Sequence, residues 1–316
     1  DISAIGTFAL AYDRYDVAAL SPRDGPYGPA DKAQPLFREL ELGVQSVVDP
    51  YARADVFISF TPDGVDVEEG YLTTLSLPAG FQVRAGKFFS PFGRLNQQHP
   101  HVWDFVDAPL AARLVATEKL SGPGLDVAWL APLPWFAELH AAYQATAPAP
   151  GDPERPTGAA HLQQYFSLGD ATTLGVGASA AVRSDVTGGA RDLGNVSVYV
   201  RVRPPTTRAY ATLQGELYGR RFRGEPGGSD GGGYAQLFWR PGPFYGYGVR
   251  YDDAPAVPEA GAGRERRYGA LATWYPSEFS RLRGELSYDR RPSGGDGLEA
   301  LLALEFVMGS HGAHPF

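Results

Sequence analysis

The sequence predicts an all-β protein, a single transmembrane, antiparallel up-and-down β-barrel of 16 strands that covers residues 1–316. Three observations predict this fold: apolar and polar residues alternate, long and short connections alternate, and aromatic residues lie beside the short connections. No apolar run approaches the roughly 18 residues that would indicate a membrane-spanning helix.

The composition argues against several other classes of protein. Without cysteine, the chain has neither disulfides nor thiolate metal sites. Its formal net charge of −8 argues against nucleic-acid binding, which needs a basic surface. Its hydrophobic fraction of 43% is too high for a disordered chain. No signal peptide is visible, and we expect that one has been removed from a precursor.

Apolar and polar residues alternate along the chain with the period of a β-strand. Residues 195–203 carry valines on one face and Ser197, Tyr199, Arg201 and Arg203 on the other. The same period recurs in residues 2–13, 54–61, 70–77, 81–86, 209–220 and 280–289. In 70–77 we assign Tyr71 to the apolar face. Such strands fit a soluble β-sandwich as well as a barrel whose apolar face meets lipid and whose polar face lines a watery lumen.

The connections between the strands favour the barrel. Long links are predicted at 16–33, 90–121, 147–160, 184–194, 223–232, 253–264 and 291–297. Short turns are predicted at 49–52, 77–80, 132–134, 169–171, 204–207, 240–243 and 275–278, whereas 61–64 is short where a long link is required. Short periplasmic turns, longer extracellular loops and an even number of strands are typical of outer-membrane barrels, whose closed sheet leaves no backbone group unpaired in lipid.

Aromatic residues flank the short turns, as expected for a belt at one membrane interface. They are Phe81, Trp129, Trp135, Phe166, Trp239, Phe244, Trp274 and Phe279. The alternative is that strands are rich in aromatic residues in general. The chain ends in Phe316 after an alternating strand, which resembles the recognition signal of bacterial outer-membrane barrels.

Five stretches of the first half resemble porin-like outer-membrane proteins. They are residues 37–45, 48–55, 67–72, 85–96 and 99–110. In these stretches the chain is similar to the phosphate-selective-porin-like barrels of Gram-negative bacteria and to related barrels labelled zinc-regulated outer-membrane receptors. The resemblance implies a channel in the bacterial outer membrane.

The longest link, residues 90–121, is rich in polar and charged residues. It is predicted to fold into the lumen and to constrict it, as the third loop of porins does. Its polar candidates are Arg94, Asn96, His99, His101, Asp104, Asp107 and Arg113. The alternative is an external loop that packs on its neighbours. His99 and His101 could hold a metal together with Asp104, and His311 with His314, but two histidines without a third ligand at fixed spacing are a weak signal. We therefore predict no metal and no cofactor.

Charged residues on the polar faces of the strands are predicted to line the pore. They are Glu39, Glu41, Arg84, Asp126, Glu138, His140, Arg183, Arg201, Arg203, Glu216, Arg220, Arg250, Arg281, Arg283, Glu285 and Glu305. They could give the solute path a transverse field, or they could pair into a structural network. His140 beside Glu138 could do acid–base work, but an interior hydrogen-bonded histidine explains it better, so we predict no enzyme.

The function predicted from the sequence is passive diffusion of small hydrophilic solutes through a polar lumen. The alternatives are an occluded or scaffold barrel that serves as a structural partner in a cell-envelope complex, and a soluble secreted β-sandwich. The expected partners are outer-membrane lipid, small hydrophilic solutes and either further copies of the chain or an envelope-complex protein. Nucleic acid is not among them.

Overall fold

The computed structural model is a closed antiparallel barrel in which each strand pairs with the next and β1 pairs with β16. It describes residues 1–15, 33–116, 119–147, 154–184, 190–223, 228–256, 263–292 and 296–309. The strands are β1 Ile2–Tyr15, β2 Gln34–Asp49, β3 Ala52–Thr61, β4 Gly64–Thr74, β5 Phe81–Phe89, β6 Ser121–Leu130, β7 Phe136–Thr146, β8 Arg155–Leu168, β9 Thr172–Ser184, β10 Ala190–Val202, β11 Tyr210–Arg223, β12 Gly228–Arg240, β13 Tyr245–Pro255, β14 Arg264–Ser277, β15 Ser280–Arg290 and β16 Gly297–Gly309. The predicted 16-strand barrel is confirmed, and the soluble β-sandwich is excluded.

The alternation of residues places apolar side chains outside the barrel and charged ones inside. In β10, Val196 and Val198 are exposed on the outer surface, whereas Ser197 between them is buried. In β15, Leu286 is exposed and its neighbour Glu285 is buried. An apolar exterior around a charged interior is the reverse of a soluble protein and is typical of a barrel that crosses a bilayer.

The face assigned to β4 is wrong. Tyr71 points inward and meets Phe88 edge-on, with 6.4 Å between the ring centroids, while Leu72 is exposed outside. The pattern counted the Tyr71 ring as lipid-facing, whereas it packs on an aromatic residue inside the barrel. Strand β4 also has a register shift against β3, in which Phe57 pairs with Glu69 but Ile58 pairs with Val67, so Val67 is exposed outside while Glu69 is buried inside.

The connections alternate between the two ends of the barrel, which we call the short-turn rim and the long-loop rim. At the short-turn rim β8 and β9 are separated only by residues 169–171, and β14 and β15 only by 278–279. Residues 62–63 join β3 to β4 at the long-loop rim, so this link is as short as the sequence indicated. Among the described residues no helix is long and apolar enough to cross a membrane.

Most of the aromatic residues predicted to form a belt lie on the outside near the short-turn rim. Phe81 pairs in register with Trp129, and their ring centroids are 6.4 Å apart. Trp135 stacks on Phe166 at 5.8 Å. Residues 16–32, His311, His314 and Phe316 lie outside the described residues.

Candidate functional site

The described part of the link between β5 and β6, residues 90–116 and 119–120, lies inside the barrel, and we call it the lumen loop. Its neck is held by Asn96, whose side-chain amide donates to the carbonyl oxygens of Ser90 (2.9 Å) and Leu120 (3.0 Å) and accepts from the Leu120 N–H (2.7 Å). The Ser90 hydroxyl donates to Gln144 Oε1 of β7 at 2.6 Å. These bonds satisfy buried polar groups and fix the direction in which the loop leaves the wall.

The first turn of the lumen loop docks on the far wall through a single buried carboxylate. Glu216 of β11 accepts the backbone N–H groups of Arg94 (3.0 Å) and Leu95 (2.9 Å). It also accepts the Asn195 amide at 2.9 Å and the Tyr234 hydroxyl at 2.8 Å. Hydrogen bonds to a charged acceptor are stronger than neutral ones, so Glu216 is a strong anchor.

The guanidinium of Arg94 lies among polar and aromatic groups of the same wall. It donates to the Tyr165 hydroxyl at 3.0 Å and to Gln214 at 3.4 Å. It also lies over the ring of Tyr199, 4.0 Å from the centroid, a cation–π contact. The lumen loop therefore carries a positive charge to the centre of the barrel.

Two acidic wall residues bind the lumen loop through its N–H groups. Glu285 accepts the Val106 N–H at 2.7 Å, and Asp252 accepts the Leu110 N–H at 2.9 Å. Leu110 begins a five-residue helix, α1 (Leu110–Leu114), which packs against β12 and β13.

Arginines of the wall bind the loop through its carbonyl oxygens. Arg250 donates to Asp107 O at 2.7 Å, Arg283 to Trp103 O at 3.0 Å, and Arg220 to Leu114 O at 2.9 Å. Arg281 donates to the carbonyl of His101. These predicted pore-lining residues thus bind the loop backbone, which a sequence pattern does not reveal.

His99 is buried where the lumen loop meets β2 and β4. Its Nδ1 lies 2.7 Å from Glu41 Oε2 and 3.0 Å from Glu68 Oε2, and its Nε2 lies 2.8 Å from Glu69 Oε2. Burial acts to lower the pKa of His99, but the hydrogen bonds to these three carboxylates outweigh it and raise the pKa to about 10. The pocket therefore favours a positive charge.

Of the three predicted metal-ligand candidates, His99 and His101 lie together, but Asp104 lies elsewhere. His101 lies beside His99, with its Nδ1 3.6 Å from Glu41 Oε2. Asp104 points instead toward β12 and accepts from Gln236 at 3.3 Å, and its burial raises its pKa. Asp107 accepts from Arg38 at 3.1 Å. Burial acts to raise the pKa of Asp107, but the neighbouring arginines hold it well below its usual range.

The remaining predicted pore residues pair within the wall or line open space. Asp126 bridges Arg84 (3.2 Å) and His140 (3.0 Å), and Glu138 lies 3.1 Å from the other ring nitrogen of His140. Of the other predicted pore-lining residues, Glu39 accepts from Ser59 at 2.6 Å, Arg183 is buried, and Glu305 lies 3.1 Å from Arg283. Arg113, predicted as part of the constriction loop, lines open space.

Two cavities lie on opposite sides of the lumen loop. The long-loop cavity, about 530 Å³, is lined by Pro62, Asp63 and Lys119, among others. The short-turn cavity, about 570 Å³, is lined by residues of the short turns and by seven arginines but only four carboxylates. Leu95 and Trp103 line both, so the loop separates them.

The guanidinium groups of five of these seven arginines form no ion pair with a carboxylate in the part of the chain that the structure describes. They are Arg94, Arg201, Arg203, Arg208 and Arg240. Arg201 lies over the ring of Tyr210 at 4.9 Å, and Arg240 over Tyr275 at 3.8 Å. Arg208 and Arg240 were missed by the sequence reasoning. Their position beside the short turns 204–207 and 241–243 is the signal that could have placed them at this rim.

Comparison with known proteins gives one relative by sequence. An uncharacterized protein of Aquifex aeolicus (strain VF5) is 30% identical over 323 aligned positions, which cover 87% of this chain and 69% of that protein. No protein-family model matches the chain.

The solved structures with a similar fold include a porin and an outer membrane channel, both of low sequence identity. An anion-selective porin from Comamonas acidovorans has a TM-score of 0.68 at 12% identity, covering 98% of this chain and 99% of that one. The outer membrane channel DcaP of Acinetobacter baumannii has a TM-score of 0.66 at 13% identity, covering 98% and 96%. These likenesses concern the fold.

Proposed function

The chain belongs to the same family as the Aquifex aeolicus protein, and from its porin-type fold we propose that it forms a passive diffusion channel in the bacterial outer membrane. The solutes are small and hydrophilic, and anions pass more readily than cations. The lumen loop is the constriction in this proposal, because it is the element that lies between the two cavities.

The short-turn cavity is the observation that carries the proposal. Its five arginines whose guanidinium groups form no ion pair with a carboxylate of the described chain leave an excess of positive charge in a space walled by protein. A pore lined by one sign of charge raises the local concentration of ions of the opposite sign. The guanidinium keeps its charge at any physiological pH, so the preference for anions does not depend on titration.

Conductance across planar bilayers tests the proposal. Purified, folded protein should give steady open-channel steps, and a KCl gradient should give a reversal potential that indicates a higher permeability for chloride than for potassium. Arg201→Gln with Arg203→Gln should move the permeability ratio toward one and leave the channel open.

Arg266→Gln is the matched control. Arg266 is exposed beside Asp253 at the long-loop end of β14, away from the short-turn cavity. Its loss should leave the permeability ratio unchanged. An equal shift in both variants would show that the selectivity comes from the overall charge and not from this cavity.

An occluded or scaffold barrel is the second candidate, and the tight docking of the lumen loop favours it. Loop N–H and C=O groups are bound by Glu216, Asp252, Arg250, Glu285 and Arg283. Silence in the bilayer from protein that is demonstrably folded would support this candidate and overturn the channel. Contact with outer-membrane lipid is a prediction, and so is binding to further copies of the chain or to an envelope-complex protein.

A further inference from the structure

We propose that Glu41, Glu68, His99 and His101 form a binding site for one divalent transition-metal ion of the zinc type, at the junction between the lumen loop and strands β2 and β4. The site lies apart from the arginines of the short-turn cavity. It requires only the folded barrel and holds whether or not the lumen conducts.

Ligand atoms of Glu41, His99 and His101 lie within 4.8 Å of one another, and Glu68 joins this group through His99. His99 Nδ1 lies 2.7 Å from Glu41 Oε2 and 3.0 Å from Glu68 Oε2, and His101 Nδ1 lies 3.6 Å from the same Glu41 oxygen. Zinc binds nitrogen and carboxylate oxygen at about 2.0–2.2 Å, so ligand atoms at the corners of its tetrahedron lie roughly 3.3–3.6 Å apart. The two contacts of His99 therefore need to lengthen by about 0.3–0.9 Å to admit the ion, whereas the distance between His101 Nδ1 and Glu41 Oε2 already has the expected length.

The ring nitrogen of His99 that faces away from the proposed ion is hydrogen-bonded to a carboxylate, as is usual for metal-bound histidines. Its Nε2 faces Glu69 Oε2 at 2.8 Å, and the other oxygen of Glu69 accepts the Phe89 N–H at 2.9 Å. A carboxylate on the far ring nitrogen fixes the tautomer, orients the ring and makes the metal-facing nitrogen more basic. In His99 this leaves Nδ1 as the coordinating atom.

The charge of the pocket calls for a cation. Oxygens of Glu39, Glu41 and Glu68 lie within 4.8 Å of one another, and Glu69 adds a fourth carboxylate. Lys119 is the basic side chain of the loop that faces them. Clustered carboxylates taken out of water are costly unless they are neutralised, and a divalent ion would supply the neutralising charge.

The chemistry of the donors selects the ion. Two imidazole nitrogens with two carboxylates suit zinc and its first-row neighbours, whereas calcium and magnesium prefer oxygen ligands alone. The rings of Phe57 and Phe89 lie 5.1 and 4.7 Å from the His99 ring, so the site is largely screened from water. The bound ion would tie the lumen loop to β2 and β4.

The test uses the full chain, refolded in detergent and stripped with EDTA. His311→Gln and His314→Gln are introduced throughout as a background that removes the terminal histidines. Titration with Zn²⁺ against a chromophoric chelator should give one ion per chain. Titration with Co²⁺ should give the intense visible bands of a four-coordinate ion with nitrogen and oxygen ligands.

Variants identify the ligands. His101→Gln and Glu68→Gln should each lower the affinity for Zn²⁺ by about 100-fold or more, and Glu69→Gln by about 10–100-fold through the orientation of His99. His161→Gln is the control, because His161 lies on β8 with its Nδ1 2.7 Å from the Ser179 hydroxyl. It should leave affinity and cobalt spectrum unchanged.

Three results would overturn the site: no stoichiometric binding, a loss as large in His161→Gln as in His101→Gln, or full affinity in His101→Gln. If His101→Gln fails to show the heat-modifiable migration of a folded barrel, Glu68→Gln decides. Glu68 is partly exposed, so its neutral amide is tolerated structurally. None of these measurements involves conductance, so the proposed metal site and the proposed channel function are tested independently of each other.

Discussion

Two walls of the barrel hold the lumen loop in different ways. The regular wall, β8 to β11, pairs without any register shift. The bulged wall, β2 to β5, has shifts against β1 and between β3 and β4, and β4 pairs with β5 only from Gly70 to Thr73. The residues added by the two bulges are Arg38 and Glu68, and both turn inward to bind Asp107 and His99 of the loop.

The two walls differ in which groups of the loop they bind, and only the wall that binds charged loop side chains has bulges in its strands. On the regular wall the loop presents backbone N–H groups, which the inward-facing Glu216 accepts without disturbance of its strand. On the bulged wall charged loop side chains need partners at positions that a period of two does not supply. A bulge re-aims a side chain at the cost of local pairing.

Gly86→Ala should break the bulged wall and has the largest expected effect. Gly86 has a φ of 137°, and a Cβ there would lie 2.2 Å from the carbonyl oxygen of Gly70 in the short β4–β5 seam. Backbone strain and overpacking together should lower the free energy of unfolding by about 3 kcal/mol or more, measured by urea titration in detergent.

Gly194→Ala on the regular wall is the matched control for Gly86→Ala. A Cβ at Gly194 meets nothing within 4 Å, and its φ is ordinary. The change in the free energy of unfolding should stay within about 0.5 kcal/mol. Equal losses in the two variants would mean that the two walls do not differ in this respect.

Leu213→Arg tests the sidedness of the regular wall. Leu213 of β11 is exposed on the apolar exterior, so an arginine there should cost about 2–4 kcal/mol at mid-bilayer depth. Thr212→Arg, one residue away, places the same charge in the short-turn cavity and should cost clearly less. Both are measured by unfolding in lipid vesicles, and the reverse order would contradict the assignment of the faces.

Glu216→Gln should release the loop from the regular wall only. Replacing the carboxylate leaves one amide oxygen to accept what two charged oxygens accept, a loss of about 1–3 kcal/mol of local stability. Hydrogen exchange at the N–H groups of Arg94 and Leu95 should accelerate by about 10–100-fold. The Leu110 N–H, held by Asp252, should exchange as before. Acceleration at all three would show that the loop opens as one unit.

The regular wall could be predicted from the sequence because its period of two is undisturbed. Valines outside and Tyr199, Arg201 and Glu216 inside follow from the pattern alone. In the bulged wall the same reasoning assigned Tyr71 to the wrong face, because an aromatic ring that packs on Phe88 inside the barrel looks like a lipid-facing residue in the pattern.

The partners of the lumen loop could not be predicted at all. The Glu216 carboxylate lies 121 residues from Leu95 in the chain and yet accepts its N–H. Likewise, Glu41 and Glu68 reach His99 only because the barrel closes around the loop. Such contacts depend on how the loop folds in three dimensions, and neither spacing nor composition encodes that in a form that can be read from one sequence.

Substitutions in one short turn of each wall should change the free energy of unfolding least, and the two changes should have opposite signs. Ala79 between β4 and β5 has a φ of 59°, whereas Gly169 between β8 and β9 has a φ of 75° and open space where a Cβ would lie. A left-handed conformation costs a residue with a Cβ about 1–2 kcal/mol, and glycine loses about 0.5–1 kcal/mol of that advantage to its freedom in the unfolded chain. Ala79→Gly should therefore stabilise the barrel by about 0.5–1 kcal/mol in urea, and Gly169→Ala should destabilise it by a similar amount. A loss of stability in Ala79→Gly would show that the alanine methyl group makes a contact worth more than the backbone strain.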